Sequence, residues 1–231
     1  MSIPGGDDLS GEVSISPAGV TRFLSAAVVC LVLLHIVVQA VHFYVHELPW
    51  LLREIFDLDE EESFGTWFSA VILFVAAVLL FVIAHNKKKN HGQFIKHWYG
   101  LAFGFMIFSI DEVAGMHETF NTVTDFAWTI PAAFVTVGVV IVYWKFLTHL
   151  PESIKKQFII AGVLFVSGGL VVEHLADFYI EAYTMKNFGY HLLIILEETM
   201  EMAGVIIFIR ALLLVLVMEG CEKLIFKIQS N

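Results

Sequence analysis

The sequence predicts an all-α protein: a polytopic membrane bundle of six transmembrane helices with both termini in the cytoplasm. Three observations predict it. The 231-residue chain is 58% hydrophobic and only 16% charged, whereas a soluble domain is nearer 45–50% apolar and roughly 25% charged. Apolar windows of about twenty residues, the length a helix needs to cross a bilayer, recur six times, and the mean hydropathy is +0.79. The Lys and Arg residues between those windows fall almost entirely on alternate loops.

Residues 1–20 are polar and acidic, without a basic stretch before the first apolar window. That window (21–46) is too long for a signal-peptide core and is read as a mature span. The second (65–85) opens on Thr66, Trp67, Phe68 and Ser69, where a tryptophan suits interfacial anchoring. Windows at 97–118, 128–148, 157–180 and 191–218 follow, and 219–231 remains as a short tail. The prolines (Pro4, Pro17, Pro49, Pro131, Pro151) fall in loops or at helix starts, so no span is expected to break in its middle.

Orientation follows from the cations. Lys87, Lys88, Lys89 and Lys96 lie between spans two and three, Lys145, Lys155 and Lys156 around the turn between four and five, and Lys223 and Lys227 after six. The opposite loops carry only Arg53 and Lys186, which puts the acidic loop HELPWLLREIFDLDEEES outside. A net charge of −10 without a basic patch excludes nucleic acid as a partner. Two cysteines, Cys30 in an apolar run and Cys221 near the C-terminus, do not make a disulfide framework.

Four of the six windows carry ionisable stripes, and such residues within a membrane tend to be functional. At about 100° per residue, His35, Gln39, His42 and His46 lie within roughly 60° of one another. Asp111, Gly115 and Glu118 share a face of the third span, flanked by Glu112 and His117. Glu173, His174, Asp177 and Glu181 occupy an arc of about 100°, as do Glu197, Glu198 and Glu201, with His191 towards the outer end. Spans two and four read as packing partners. Every stripe falls in the outer half of the membrane.

The acids outnumber the cations. Eight carboxylates (Asp111, Glu112, Glu118, Glu173, Asp177, Glu197, Glu198, Glu201) face one intramembrane cation, Arg210, which can snorkel to the inner interface. Either protons, bound cations or charged histidines must neutralise them. Structural glue between membrane helices is normally Ser, Thr, Asn or Gln, so eight acids point to a metal cluster. Imidazole with carboxylate and no thiolate suits iron, manganese or zinc rather than copper(I).

The expected ligands are His42, His46, Asp111, Glu118, Glu173, His174, Asp177, Glu197 and Glu201, enough for two divalent ions with iron favoured. Glu112, His117 and Glu198 are expected as catalytic groups or proton carriers around them, and His35 as a more distant support. Asp57, Asp59 and Glu61 alternate like a calcium loop, but Glu62 stands where that loop needs glycine, so the loop reads as a solvated acidic surface.

The strings FDLDEEESFGTWFSAVIL, FSIDEVAGMHE and LEETMEMAG resemble a widespread group of bacterial multi-spanning membrane proteins without assigned function. The matching positions are Asp57, Asp59, Thr66, Trp67, Phe68, Ser69, Asp111, Glu112, His117, Glu118, Glu197, Glu198 and Glu201, across roughly residues 55–205. The resemblance implies a bacterial inner-membrane protein and no particular activity.

The expected function is a membrane-embedded metalloenzyme acting on a lipid or other hydrophobic molecule, with oxidation somewhat favoured over zinc-dependent hydrolysis. Oxidation would require an electron-donor protein, and the chain could form a homo-oligomer. The competing reading is a divalent-cation or proton transporter using the same acids and histidines, although transporter sites usually sit at broken helices between repeats.

Overall fold

The computed structural model describes residues 16–124, 127–183 and 187–220, all of them helix or connection. Helix ends are set by caps. Ser16 Oγ accepts the Gly19 N–H (3.0 Å) and Pro17 takes the first helical position of α1 (Pro17–Tyr44), where its missing N–H costs nothing. The chain turns through Pro49 into a short helix, α2 (Trp50–Phe56). Ser63 caps α3 (Phe64–Lys89), its Oγ accepting the Thr66 N–H at 3.2 Å.

After α4 (Ile95–Ala114) the backbone turns left-handed at Gly115 (φ 52°), a conformation that favours glycine, and restarts as α5 (Met116–Val123). Then come α6 (Thr129–His149) and α7 (Glu152–Val166). The latter continues through a π-helical stretch, Ser167–Val172, into α8 (Glu173–Ala182). Last is α9 (Phe188–Met218), capped by Asn187 Oδ1 on the Tyr190 N–H (3.1 Å).

Side-chain bonds fix the directions of the long elements. Lys87 pairs with Glu219 at the last turns of α3 and α9, so these two run parallel. Ser109 Oγ donates to the Ala70 carbonyl (2.8 Å), which sets α4 against α3. Tyr143 donates to the His97 carbonyl (3.2 Å), setting α6 against α4, and Arg210 donates to Gln157 Oε1 (3.1 Å), setting α7 against α9. The described helices therefore alternate in direction. The acidic α2–α3 loop and the starts of α3, α6 and α9 share one end, and the described lysines share the other.

Among the described residues five helices are long and apolar enough to cross a membrane: Pro17–Tyr44, Phe64–Lys89, Thr129–His149, Glu152–Ile180 and Phe188–Met218. The expected third span is not among them. Its helix α4 carries Lys96, His97, Asp111 and Glu112 within 20 residues. The core runs between α3 and α9, where Ile72, Leu80, Ile83, Ile209 and Leu212 are fully buried. Half of the apolar window of α3 is buried (50%) but only 6% of that of α6. Of the two spans expected as packing partners, α3 packs along its length, whereas α6 packs towards its end, where Phe146 meets Trp98 and Phe158. Phe134, Val135, Ile141 and Trp144 of α6 face outward.

The two interruptions differ from the expectation of unbroken spans. Gly115 splits the third window, and the fifth widens into π geometry at Gly168 and Gly169. Elsewhere α7 and α9 touch backbone to backbone. A Cβ on Gly204 would lie 2.8 Å from the Ala161 carbonyl oxygen and 2.9 Å from the Phe165 nitrogen. Gly204→Leu should force these helices apart and cost about 1–3 kcal/mol, seen as a lowered thermal midpoint of the purified protein in detergent. An unchanged midpoint would mean that this contact is soft.

Candidate metal centre

Sequence geometry puts His35 and Gln39 one turn apart on α1, and both are buried, at 0% and 2% exposure. The loop after α2 meets them. Leu58 (2% exposed) inserts beneath it and packs where Gly65 has no side chain, a Cβ there lying 2.8 Å from Leu58 Cδ2. With Leu58 inward, Asp57 is drawn into the bundle at 8% exposure. Its carboxylate accepts Gln39 Nε2–H at 2.6 Å and the Asp59 N–H at 3.3 Å. Across the loop, Tyr190 at the start of α9 donates to Asp59 Oδ2 at 2.6 Å, which brings the neighbouring His191 to the same place.

His35, Asp57 and His191 then offer one ligand atom each, all within 4.8 Å of one another and all buried. His35 Nδ1 lies 3.4 Å from Asp57 Oδ1, and His191 Nδ1 lies 3.9 Å from Asp57 Oδ2. The Leu58 N–H points at His35 Nδ1 (3.1 Å), and the Phe56 carbonyl is 3.3 Å from the same nitrogen. Whichever tautomer holds, His35 Nε2 and His191 Nδ1 are left without a hydrogen-bond partner among the described residues. An unanswered buried polar atom costs about 1–3 kcal/mol. Two imidazoles and a carboxylate around such atoms form a donor set that a divalent ion would satisfy.

Burial pushes the Asp57 carboxyl above its ordinary range, against the backbone N–H of Asp59, the Gln39 amide, the Leu58 N–H and the Arg53 charge. Asp59 keeps one flank exposed, yet the protein atoms crowding its carboxyl push it up to about 6, with the Tyr190 hydrogen bond opposing and the Asp57 charge adding to the shift.

Beside this group lies a belt of acids. Glu197 is buried at 8% exposure, its Oε2 has no hydrogen-bond partner among the described residues, and it feels the charges of Glu198, Glu173, Asp59 and Asp177. Trp128 Nε1 donates to Glu173, and Thr129 Oγ1 lies 3.2 Å from His174 Nδ1. One step further, Glu112 and Glu201 come together with Ser69, Phe165 and Met202 around a gap too small to hold a water molecule, and Glu198 interacts electrostatically with both. Glu201 approaches Gly168 and Gly169 so closely that a Cβ on either would strike its side chain.

Other expected ligands fall as follows. α1 ends at Tyr44, so His46 lies beyond the helix and is exposed, while His42 Nδ1 accepts the Leu48 N–H (3.2 Å). The break at Gly115 turns α5 back, and Asp111 meets His117 (Oδ2 to Nδ1, 2.9 Å) instead of continuing a stripe. Glu61 lies over that break, where a Cβ on Gly115 would overlap its carboxylate. The side chains of Glu118 and Glu181 lie outside the described residues.

His35, expected as a distant support, sits in the three-residue group itself. Asp57, expected on a solvated surface, is its carboxylate. Of the residues that open α3, Trp67 faces out as an anchor would, whereas Thr66 and Ser69 are buried. The signal that pointed to the group was the shared face of His35, Gln39 and His42.

Among the described residues, fold and site together define an all-helical protein with five helices able to cross a membrane and a buried histidine–aspartate–histidine group able to hold a metal ion. The chain belongs to the family described as a domain of unknown function (DUF8692), whose model matches residues 21–216. No curated protein and no solved structure matches it.

Gln39 anchors Asp57 whether or not a metal is bound. Gln39→Leu should destabilise the protein by about 1–3 kcal/mol by leaving a buried carboxylate oxygen unanswered, measured as thermal unfolding in detergent. No change would show that the loop is seated by Leu58 alone.

Proposed function

We propose that the chain is a membrane-embedded metalloenzyme of the bacterial inner membrane, with its centre at His35, Asp57 and His191. The observation that carries this reading is the set of three buried donors within 4.8 Å, two of them histidines with an unanswered nitrogen. In this reading α4 is a sixth span, both termini are cytoplasmic, and the acidic loop faces the periplasm. The Lys-rich end of the bundle supports that orientation.

Two histidines and one carboxylate with open positions are the donor set of mononuclear iron oxygenases, while zinc hydrolases use the same residue types. Iron is therefore the first choice. A second ion would sit among Glu173, Asp177 and Glu197 beside Asp59, and Glu112, His117 and Glu198 would carry protons. The substrate is a lipid or other hydrophobic molecule reaching the centre from the bilayer. Oxidation takes dioxygen as oxidant: one oxygen atom enters a C–H bond and the other leaves as water. A separate donor protein supplies the two electrons, and water supplies the protons.

The interruptions at Gly115 and at Ser167–Val172 favour a second reading, because transporters place ion sites where membrane helices break. In that reading the acids pass a divalent cation or protons across the bundle.

Metal analysis of the gently purified protein separates these readings. The wild type should hold iron in stoichiometric amount, His35→Ala and His191→Ala should lose it, and Glu173→Ala should lose only the second ion. Zinc in place of iron would move the chemistry to hydrolysis. No stoichiometric metal in the wild type would overturn the metalloenzyme and leave transport.

A further inference from the structure

Helix α2 joins two surfaces of opposite character. Its Trp50, Leu51 and Leu52 are 67%, 53% and 39% exposed, an apolar turn between two helices able to cross a membrane. Arg53, on the same helix, is half-buried, and its Nε is enclosed without a hydrogen-bond partner. It makes no ion pair among the described residues, although both Asp57 and His191 feel its charge. The helix ends one turn later at Phe56, whose carbonyl meets His35 Nδ1 at 3.3 Å. Arg53 is thus roughly 4.5 Å along the helix axis from Phe56, the residue that touches His35.

Among the described residues Arg53 is the only Lys or Arg at this end of the bundle. Glu47, Glu54, Asp59, Glu60, Glu61 and Glu62 surround it in sequence. A freely diffusing anion would be repelled by that loop. An anion carried on an apolar tail would not need to approach through it. It would arrive in the plane of the membrane, where exposed tryptophan and leucine side chains favour the headgroup boundary.

We propose that α2 seats the anionic headgroup of a membrane phospholipid, Arg53 holding the phosphate beside the His35–Asp57–His191 group while Trp50, Leu51 and Leu52 contact the acyl chains. This rests on the metal-centre reading and names the substrate class for it: an anionic glycerophospholipid. A divalent ion on two neutral histidines and one carboxylate leaves one net positive charge. Arg53 adds a second, so the headgroup phosphate lies between two positive groups. Arginine suits the task because its planar fork matches phosphate oxygens.

The test is native mass spectrometry of the full chain in detergent with equal amounts of phosphatidylglycerol and phosphatidylcholine. Metal content is measured on the same samples. Wild type should retain phosphatidylglycerol about tenfold over phosphatidylcholine, Arg53→Lys should keep part of that preference, and Arg53→Gln should lose it with its metal and helical content unchanged. Equal retention of the two lipids by wild type, or an undiminished preference in Arg53→Gln, would overturn the proposal. Displacement of the lipid by an equal concentration of glycerol 3-phosphate would also overturn it, since the site would then take free phosphate esters. An arginine-dependent preference in a protein without metal would overturn the metal centre and leave the lipid site standing.

Discussion

The hydrogen bond from Gln39 to Asp57, at 2.6 Å, holds a loop carboxylate inside a helical bundle, and the architecture around it follows from making that position tolerable. A carboxylate at 8% exposure needs donors on its oxygens and no water at its back. Gln39 and the Asp59 N–H supply the donors. Leu58, packed over Gly65, closes the space beneath. The loop is then short enough that Asp59 must reach Tyr190, so α9 has to begin at its Asn187 cap to present Tyr190 and His191 together. Three separate parts of the chain meet on one anion.

The acids beyond the loop are arranged by two departures from regular helix. An α-helix running straight through Gly115 would carry His117 away from Asp111. The left-handed turn there brings the imidazole back to 2.9 Å from the carboxylate and gives Glu61 room above the backbone. In the fifth window the π-helical stretch changes the register just before Glu173 and His174. Its two glycines admit the Glu201 side chain from α9. Such stretches cost hydrogen-bond quality and collect at functional sites. Here the distortion is what lets acids from α8 and α9 approach one another.

The membrane-like helices and the polar stripes were legible because both are periodic signals. Twenty apolar residues announce a span, and His35, Gln39 and His42 announce a face. Only part of the site could be read this way. Asp57 has no period, because it lies in a loop where five of six residues from Asp57 to Glu62 are acidic, and its burial depends on Leu58 finding Gly65. His46 continued the stripe on paper, but α1 stops at Tyr44 before reaching it. The Gly115 turn was equally hidden. One glycine between a helical run and MHETF reads as well for a close helix contact as for a break. α6 shows the reverse limit, since uniform apolarity predicts a span and says nothing about which neighbour covers it.

Charge neutralisation decides what this site can be. The lysines described lie at the opposite end of the bundle, and Arg210 on α9 is nineteen residues beyond His191, roughly 28 Å along the axis. Even Glu197, thirteen residues from Arg210, is roughly 20 Å from it along the axis, so these cations do not compensate Asp57, Asp59, Glu173 or Glu197. Arg53 compensates one of them at most. The buried ones, Asp57 and Glu197, must be matched locally, by protons or by a cation, because the protein shields them from water and its counterions. Protons would suffice for the carboxylates alone. A proton on either imidazole would place a positive ring beside Asp57, whose oxygens lie 3.4 Å from His35 Nδ1 and 3.9 Å from His191 Nδ1. The same three donors can instead share a divalent ion, which takes lone pairs from both rings and charge from Asp57 in one step.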